Sequence, residues 1–382
     1  MKIVQNIKIS TLFTTLNRHK ESIVIILLLL SNFYTKFAYY NIHYNTEATF
    51  FPSTWIKAFI LVAVVLTFIF LKDKQKITYF ILAIFGVFLI EFLLHKGYEK
   101  DVSIGSRLYY FAKYAFLFFL IPVVNAISVK KLNSIINILI KFALINLVFI
   151  VIGFIFDINI FKSYPNTVRF GYNGLLPIQG AGSFFYIFIL SVIYYRYYKE
   201  YTSGLKVSKY TYLQLGFILL GSTLVGTKAI LLFALFLFLI DVYFRLGKKI
   251  LVISGIVISS ILFFVFLDPI IFAMLRFFNL HESLYLDNSI WTFLTSKRDM
   301  LLEQAVQYIT ENWDIANYIL GGIDFKQIRV EFEVVDLFLF FGLGGIIIYI
   351  FLFKKILYSK SLMVYNALLT SVLLISFLSG NL

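Results

Sequence analysis

Residues 133–157, NSIINILIKFALINLVFIVIGFIFD, decide the fold, because Lys141 is their one charged side chain before the closing Asp157. A helix needs about 20 mostly apolar residues to cross the roughly 30 Å hydrocarbon core of a bilayer. This run exceeds that minimum length. It therefore predicts a helix that spans a membrane.

Runs of the same kind occupy most of the rest of the chain. They fall at 22–40, 54–71, 77–94, 105–128, 178–197, 210–226, 229–245, 250–268, 334–353 and 361–379. Apolar residues make up 60% of the chain and charged residues 14%, against roughly 45–50% and 25% in ordinary globular chains. We therefore predict an all-α, polytopic transmembrane helix bundle of about eleven spans. Residues 1–382 would form a single integral-membrane domain.

The net charge of +14 is explained by orientation in a membrane rather than by a nucleic-acid partner. Lys and Arg cluster in short connections between apolar runs, and cytoplasmic loops carry an excess of these residues. The amino terminus is therefore predicted to be cytoplasmic and, with eleven spans, the carboxyl terminus external. The chain has no Cys and only four His, so neither thiol chemistry nor a histidine metal site is expected.

Residues 269–333 form a large external loop in this topology, and the loop is predicted to be mostly helical. A Ser-x-x-Asp capping box at 296–299 opens an amphipathic helix within it. Lys297 and Arg298 would lie in the first turn, where a helix amino terminus and two cations suit a phosphate or pyrophosphate. The alternative is a solvated cap in which Arg298 pairs with Glu303 or with a lipid headgroup.

Two further cations lie at the predicted external face. Arg169 stands between aromatic residues and glycines, where a guanidinium could clamp a phosphate or stack on a sugar, or could equally anchor the loop at the interface. Lys228 follows a Gly-Thr turn and either extends to the headgroups or points into a cavity shared with Arg169 and Arg298. Three separated cations on one side of a membrane enzyme would suit an anionic lipid carrier.

Acidic side chains stand at the start of the run 334–353. Glu333 and Asp336 share a helical face because they are three residues apart, and carboxylates at a membrane boundary are costly unless they face a cavity or a partner. One of them could act as a general base. The alternative is an ion pair such as Arg329 with Glu333. Glu331 and Glu333 alone are weak evidence for a metal, so no metal is predicted.

Other residues inside the predicted spans carry weaker signals. Gly342, Gly344 and Gly345 allow close helix approach or a bend. Glu91 and Lys141 are ionisable residues within spans, where a functional role is the usual expectation. No second sequence signal supports a role for either.

The order of these motifs resembles the O-antigen polymerase and ligase superfamily, the Wzy-type polymerases of bacterial surface polysaccharides. Members typically show an external arginine loop, a Gly-Ser/Thr-Arg-like turn, a large external loop with a basic residue before an amphipathic helix, and an acidic segment before a glycine-containing span. The elements that carry the resemblance are Arg169, Gly226-Thr227-Lys228-Ala229, Ser296-Lys297-Arg298-Asp299, Leu320-Gly321-Gly322, Glu331 to Asp336, and Phe341-Gly342-Leu343-Gly344-Gly345.

The resemblance implies a glycosyltransferase of the bacterial cytoplasmic membrane. It would transfer a growing glycan from undecaprenyl pyrophosphate onto the sugar of a new lipid-linked repeat unit, building O-antigen or capsular polysaccharide at the external face. No cofactor is implied, because the donor is already activated. The expected partners are undecaprenyl-pyrophosphate-linked oligosaccharides, the lipid bilayer, a chain-length regulator and a flippase.

The residues expected to carry out the reaction are Glu333, Asp336 and Arg298 as catalytic groups, and Arg169, Lys228 and Lys297 as substrate-binding cations. Two departures from the family pattern matter. Lys228 stands where an arginine is usual, which keeps the charge but loses the guanidinium fork. The ligase branch usually has a histidine before its last glycine-rich span, and its absence here favours a polymerase.

Two alternative functions stay open: an O-antigen ligase, and a flippase or transporter of the same lipid-linked units. Flippases usually have paired halves with charge along a central cavity. This chain has no repeated halves and concentrates its polar features on one predicted face.

Overall fold

The computed structural model describes most of the chain. The described residues are 23–38, 52–71, 75–94, 104–164, 170–177, 179–204, 208–247, 250, 254–255, 292, 295, 298–323, 328–359 and 361–379. Within these ranges the chain is almost entirely helical, and its β pairing is limited to one isolated bridge between Lys162 and Tyr172. The predicted all-helical class is confirmed for the part of the chain that the structure describes.

Twelve helices account for the architecture of the described ranges. They are α1 (Ile23–Ala38), α2 (Pro52–Phe70), α3 (Gln75–Leu94), α4 (Ile104–Ala126), α5 (Val129–Phe156), α6 (Gln179–Thr202), α7 (Lys209–Thr223), α8 (Lys228–Phe244), α9 (Arg298–Asn312), α10 (Ile315–Leu320), α11 (Glu333–Leu352) and α12 (Met363–Ser379). A π-helical turn, Phe353–Leu357, continues α11. Each predicted apolar run contains one of these helices, except 250–268, which lies almost entirely outside the described residues.

Three of the described segments are long and apolar enough to cross a membrane by length and composition. They are Arg107–Ala126, Val129–Phe156 and Glu333–Leu357. Four other helices are apolar but shorter, namely Ile23–Ala38, Trp55–Phe70, Ile77–Leu93 and Met363–Phe377. The helices are thus compatible with a membrane protein, while the count of eleven spans stays a prediction.

The helices pack around two hydrophobic cores. The first core joins α5, α6, α7, α8 and α12, and the second joins α2, α3, α4, α9 and α11. Aromatic side chains fill much of the second core, where Phe340 and Phe341 of α11 meet Tyr114 of α4 at ring-centroid distances of 5.8 Å. The rich supply of Phe and Tyr in the sequence therefore serves helix packing, at least in this core.

A buried polar contact joins the segment between α5 and α6 to the bundle. The Asn146 side chain on α5 donates to the Asn173 carbonyl at 3.2 Å and to the Tyr186 hydroxyl at 2.7 Å, and its oxygen accepts from the Leu175 amide at 2.5 Å. The Lys36 ammonium of α1 donates to the Asn173 side-chain oxygen. The Asn146 side chain thus pairs a carbonyl and an amide of this non-helical segment, which would be costly to bury without partners.

Helix α11 is broken where α10 packs against it. Gly342 has φ 63° and ψ −164°, a backbone region that only glycine adopts readily. The break frees the Leu339 carbonyl, which accepts from the Gly322 and Ile323 amides at 3.0 and 3.1 Å. A Cβ at Gly342 would lie 2.4 Å from the Ile319 carbonyl. The two glycine motifs of the sequence therefore pack against each other and fix the segment that leads to the start of α11.

We expect Gly342→Ala to lower the free energy of unfolding by about 1–3 kcal/mol through backbone strain, with the close approach of Ile319 adding to that loss. Thermal unfolding of the purified protein in detergent measures the change. The matched control is Gly86→Ala on α3, where an added methyl meets open space and alanine favours the helix. Equal melting temperatures for the two variants would contradict a glycine-dependent break.

Candidate functional site

Glu333, the first residue of α11, is a buried carboxylate with few partners. Its side chain is fully buried, and neither of its oxygens accepts a hydrogen bond within the described structure. Among the described residues, its ion-pair partner is the Lys113 ammonium of α4, at 3.7 Å. Buried carboxylates are ordinarily paired and hydrogen-bonded. Glu333 is therefore held in a costly environment of the kind found at functional sites.

Asp336 lies one turn further along α11 and is buried as well. One of its oxygens accepts the Val330 amide at 2.9 Å, and the other lies 3.5 Å from Nε of Arg329. Burial lowers the pKa of the Arg329 guanidinium, but Asp336, Tyr110, Tyr114 and Glu331 together raise that pKa above its usual value. The alternative considered from the sequence was an ion pair of Arg329 with Glu333, whereas the structure pairs Arg329 with Asp336.

Arg298, the first residue of α9, lies at the same end of α11. Its guanidinium is 3.5 Å from the Glu331 carboxylate, and the alternative partner suggested by the sequence, Glu303, makes no such contact. Arg298, Arg329, Glu331, Glu333 and Asp336 are here called the α11 cluster. The structure thus places Arg298 beside Glu331, two residues before Glu333 and at the end of α11 that also contains Asp336.

The start of α9 is held by hydroxyl groups. The Asp299 carboxylate accepts from the Thr292 and Thr295 hydroxyls at 2.5 and 2.9 Å. Burial disfavours the charged form, but these hydrogen bonds and backbone amides outweigh it, so the pKa of Asp299 lies below its usual value. The Ser296 cap and Lys297, both singled out from the sequence, lie outside the described residues.

Lys228 is the first residue of α8, and the turn before it packs in the first core. A Cβ at the preceding Gly226 would lie 2.5 Å from the Phe170 carbonyl and 2.7 Å from Cα of Gly171, so this turn packs against the end of the Arg169 loop. Arg169 itself is outside the described residues. Val225 of this turn belongs to the first core, whereas Leu301 and Leu302, which follow Arg298, pack against the second.

A cavity of about 960 Å³ opens beside Glu333. Its walls come from α1, α2, α4, α11 and α12 and are mostly aliphatic and aromatic. Among the described residues, three charged side chains line it: Glu333, Lys113 and Lys57. Because Glu333 is the first residue of α11 and Lys57 lies in the second turn of α2, these charges mark one end of an otherwise apolar space.

Two charged residues of this region, Lys57 and Lys113, were not singled out from the sequence. Lys113 and Lys57 lie within predicted spans, and an ionisable residue at such a position is a signal that could have identified them. Arg329 was weighed only as an ion-pair partner. The described residues contain no group of three or more His, Asp or Glu side chains arranged to hold a metal ion.

The fold and site define a class: a protein that is all-helical in its described residues, with membrane-type helices and two buried carboxylates, one of which lines an apolar cavity. No family model, characterised protein or solved structure matches the chain. The function is therefore inferred from the residues of this chain alone.

Proposed function

We propose that the chain is an integral-membrane glycosyltransferase that polymerises undecaprenyl-pyrophosphate-linked oligosaccharide repeat units. The observation that carries the proposal is Glu333: a fully buried carboxylate without a hydrogen-bond donor among the described residues, lining an apolar cavity. A reaction of lipid-linked sugars needs a base next to a space for lipid. The motif order supports the same assignment.

The chemistry required is a single displacement. The Glu333 carboxylate takes the proton from the acceptor sugar hydroxyl, and that oxygen forms a bond with the anomeric carbon of the donor glycan. The bond from this carbon to the pyrophosphate oxygen breaks, and undecaprenyl pyrophosphate leaves with its electron pair. Arg298 would stabilise the negative charge that develops on the leaving group. The Asp336 carboxylate accepts the Val330 amide and pairs with Arg329. Its proposed role is therefore to hold the residues of the α11 cluster in position.

The topology proposed for this function has about eleven spans in the bacterial cytoplasmic membrane. The amino terminus would be cytoplasmic, and residues 269–333 would face the outside. The starts of α2 and α11 then share the external face. This arrangement would place Lys57 and the α11 cluster on the side where lipid-linked repeat units are polymerised, and Arg169, Lys228 and Lys297 would add positive charge there.

The size distribution of surface polysaccharide in a strain lacking this chain tests the proposal. Single repeat units on the final carrier, with the long-chain ladder missing, are expected for a polymerase. Polymer that persists on the undecaprenyl carrier would instead identify a ligase. Loss of all externally displayed units, with intermediates trapped inside, would identify a flippase.

We expect Arg298→Ala to reduce polymer formation about 10²- to 10³-fold, because the variant loses a cation that stabilises the leaving group. The ladder on polyacrylamide gels measures the product, and an immunoblot should show unchanged protein abundance. Glu331→Gln is the matched control, because it removes the same ion pair while it keeps the Arg298 charge. A normal ladder in Arg298→Ala would remove Arg298 from the site.

A further inference from the structure

We propose that the cavity between α2, α4 and α11 binds the isoprenoid chain of a lipid phosphate, with Lys113 and Lys57 on the phosphate. The identity of this lipid rests on the proposed function, whereas the binding of an isoprenoid phosphate can be measured without it. The proposal assigns a role to two lysines outside the motifs that resemble the polymerase family.

The apolar part of the cavity is lined by both halves of α11, on either side of the break at Gly342. Its lining on α11 and the following π turn extends from Glu333 to Phe353. The side chains between these ends include Leu337, Ile346 and Ile350. Such a surface offers contacts to hydrocarbon along its whole length.

The charged end of the cavity is suited to an anion. The Lys113 ammonium donates no hydrogen bond to any described residue. It lies 3.7 Å from the Glu333 carboxylate and 5.3 Å from the centroid of the Tyr114 ring. Lys57 is exposed and makes neither a hydrogen bond nor an ion pair within the described ranges. Two ammonium groups against one carboxylate leave a net charge of about +1 at this end, with hydrogen-bond donors available to a phosphate.

The position of Glu333 distinguishes a reacting lipid from a lipid that only fills space. An ordinary lipid site gives no reason to bury a carboxylate without donors beside the headgroup phosphates, because the negative charges repel one another. A reacting lipid does give one, because the sugar attached to the phosphate would then lie next to the base. The same geometry places the chain of the donor along α11 and its reactive end at the α11 cluster.

Binding of farnesyl phosphate to the purified full-length protein in nanodiscs tests the proposal. Farnesyl phosphate has an isoprenoid chain and an anionic head, and farnesol is the neutral reference. We expect Lys113→Met to weaken binding of farnesyl phosphate about 10- to 100-fold, because a charge-assisted hydrogen bond is lost, and to leave binding of farnesol unchanged. Lys113→Arg should retain most of the affinity, which also controls for misfolding.

Lys141→Met is the matched control, because Lys141 lies on α5 and does not line the cavity. Equal affinity of wild type and Lys113→Met for farnesyl phosphate would overturn the proposal. Displacement of farnesyl phosphate by an equal concentration of phosphatidylglycerol would also overturn it, because the site would then be an ordinary lipid site. A deletion strain that still makes polymer would refute the proposed function and leave the binding result standing.

Discussion

Glu333→Gln should reduce the rate of polymer formation about 10²- to 10⁴-fold, which is the usual contribution of a general base. Glutamine keeps the shape of the side chain but cannot accept the proton of the acceptor hydroxyl. The substitution also removes a buried charge without hydrogen-bond donors within the described structure, so the folded protein should be no less stable. Transfer between purified lipid-linked repeat units measures the rate, and thermal unfolding measures stability.

Two other carboxylates help to interpret this result. Glu303→Gln is the matched control. Glu303 is exposed on α9, so this substitution should leave the rate unchanged. Asp336→Asn keeps an oxygen for the Val330 amide but weakens the attraction to Arg329, so a smaller loss of activity is expected. Full activity in both Glu333→Gln and Asp336→Asn would refute the assignment of a general base to the α11 cluster.

The second large effect is expected at Glu91, whose carboxylate contacts the Arg107 guanidinium between α3 and α4. Both side chains are at least 95% buried. Glu91→Ala should lower the free energy of unfolding by about 3–5 kcal/mol, because the substitution leaves an uncompensated buried charge. Denaturation of the purified protein by heat or detergent measures the loss.

The double variant Glu91→Leu with Arg107→Met separates this explanation from simple loss of packing. Replacing both charges by apolar side chains removes the desolvation penalty together with the attraction. We therefore expect the double variant to recover most of the stability lost in Glu91→Ala. A double variant at least as unstable as the single variant would contradict the paired-charge explanation and indicate a specific requirement for the two groups.

The helices were predictable because their signal is local. An apolar run long enough to form a helix, such as 133–157, contains that information in its own composition, and α5 is found there. The start of α9 was placed within the correct few residues, yet the hydroxyls that hold Asp299 come from Thr292 and Thr295. The break at Gly342 was also visible as a glycine motif, but its partner segment, Leu320 to Gly322, could be identified only in three dimensions.

The candidate site was predictable in part. Glu333 and Asp336 were identified because carboxylates at a predicted membrane boundary are costly, and Arg298 because it begins an amphipathic helix. Arg298 meets Glu331 because α9 packs beside the second core, which the sequence does not show. The shared cavity of Lys228 with Arg298 stays a prediction, and their chain neighbours pack in different cores. Arg169 and Lys297 stay predictions.

The sequence by itself determined the all-helical class and the places where helices form, because backbone hydrogen bonds and apolar runs are properties of neighbouring residues. It also marked which charged residues would be costly to bury. Only the tertiary structure decided how those charges are paired: Glu91 with Arg107, Arg329 with Asp336, and Glu333 opposite Lys113 beside the cavity. Partners far apart in the chain meet through helix packing, and the spacing of residues along the sequence does not encode that distance.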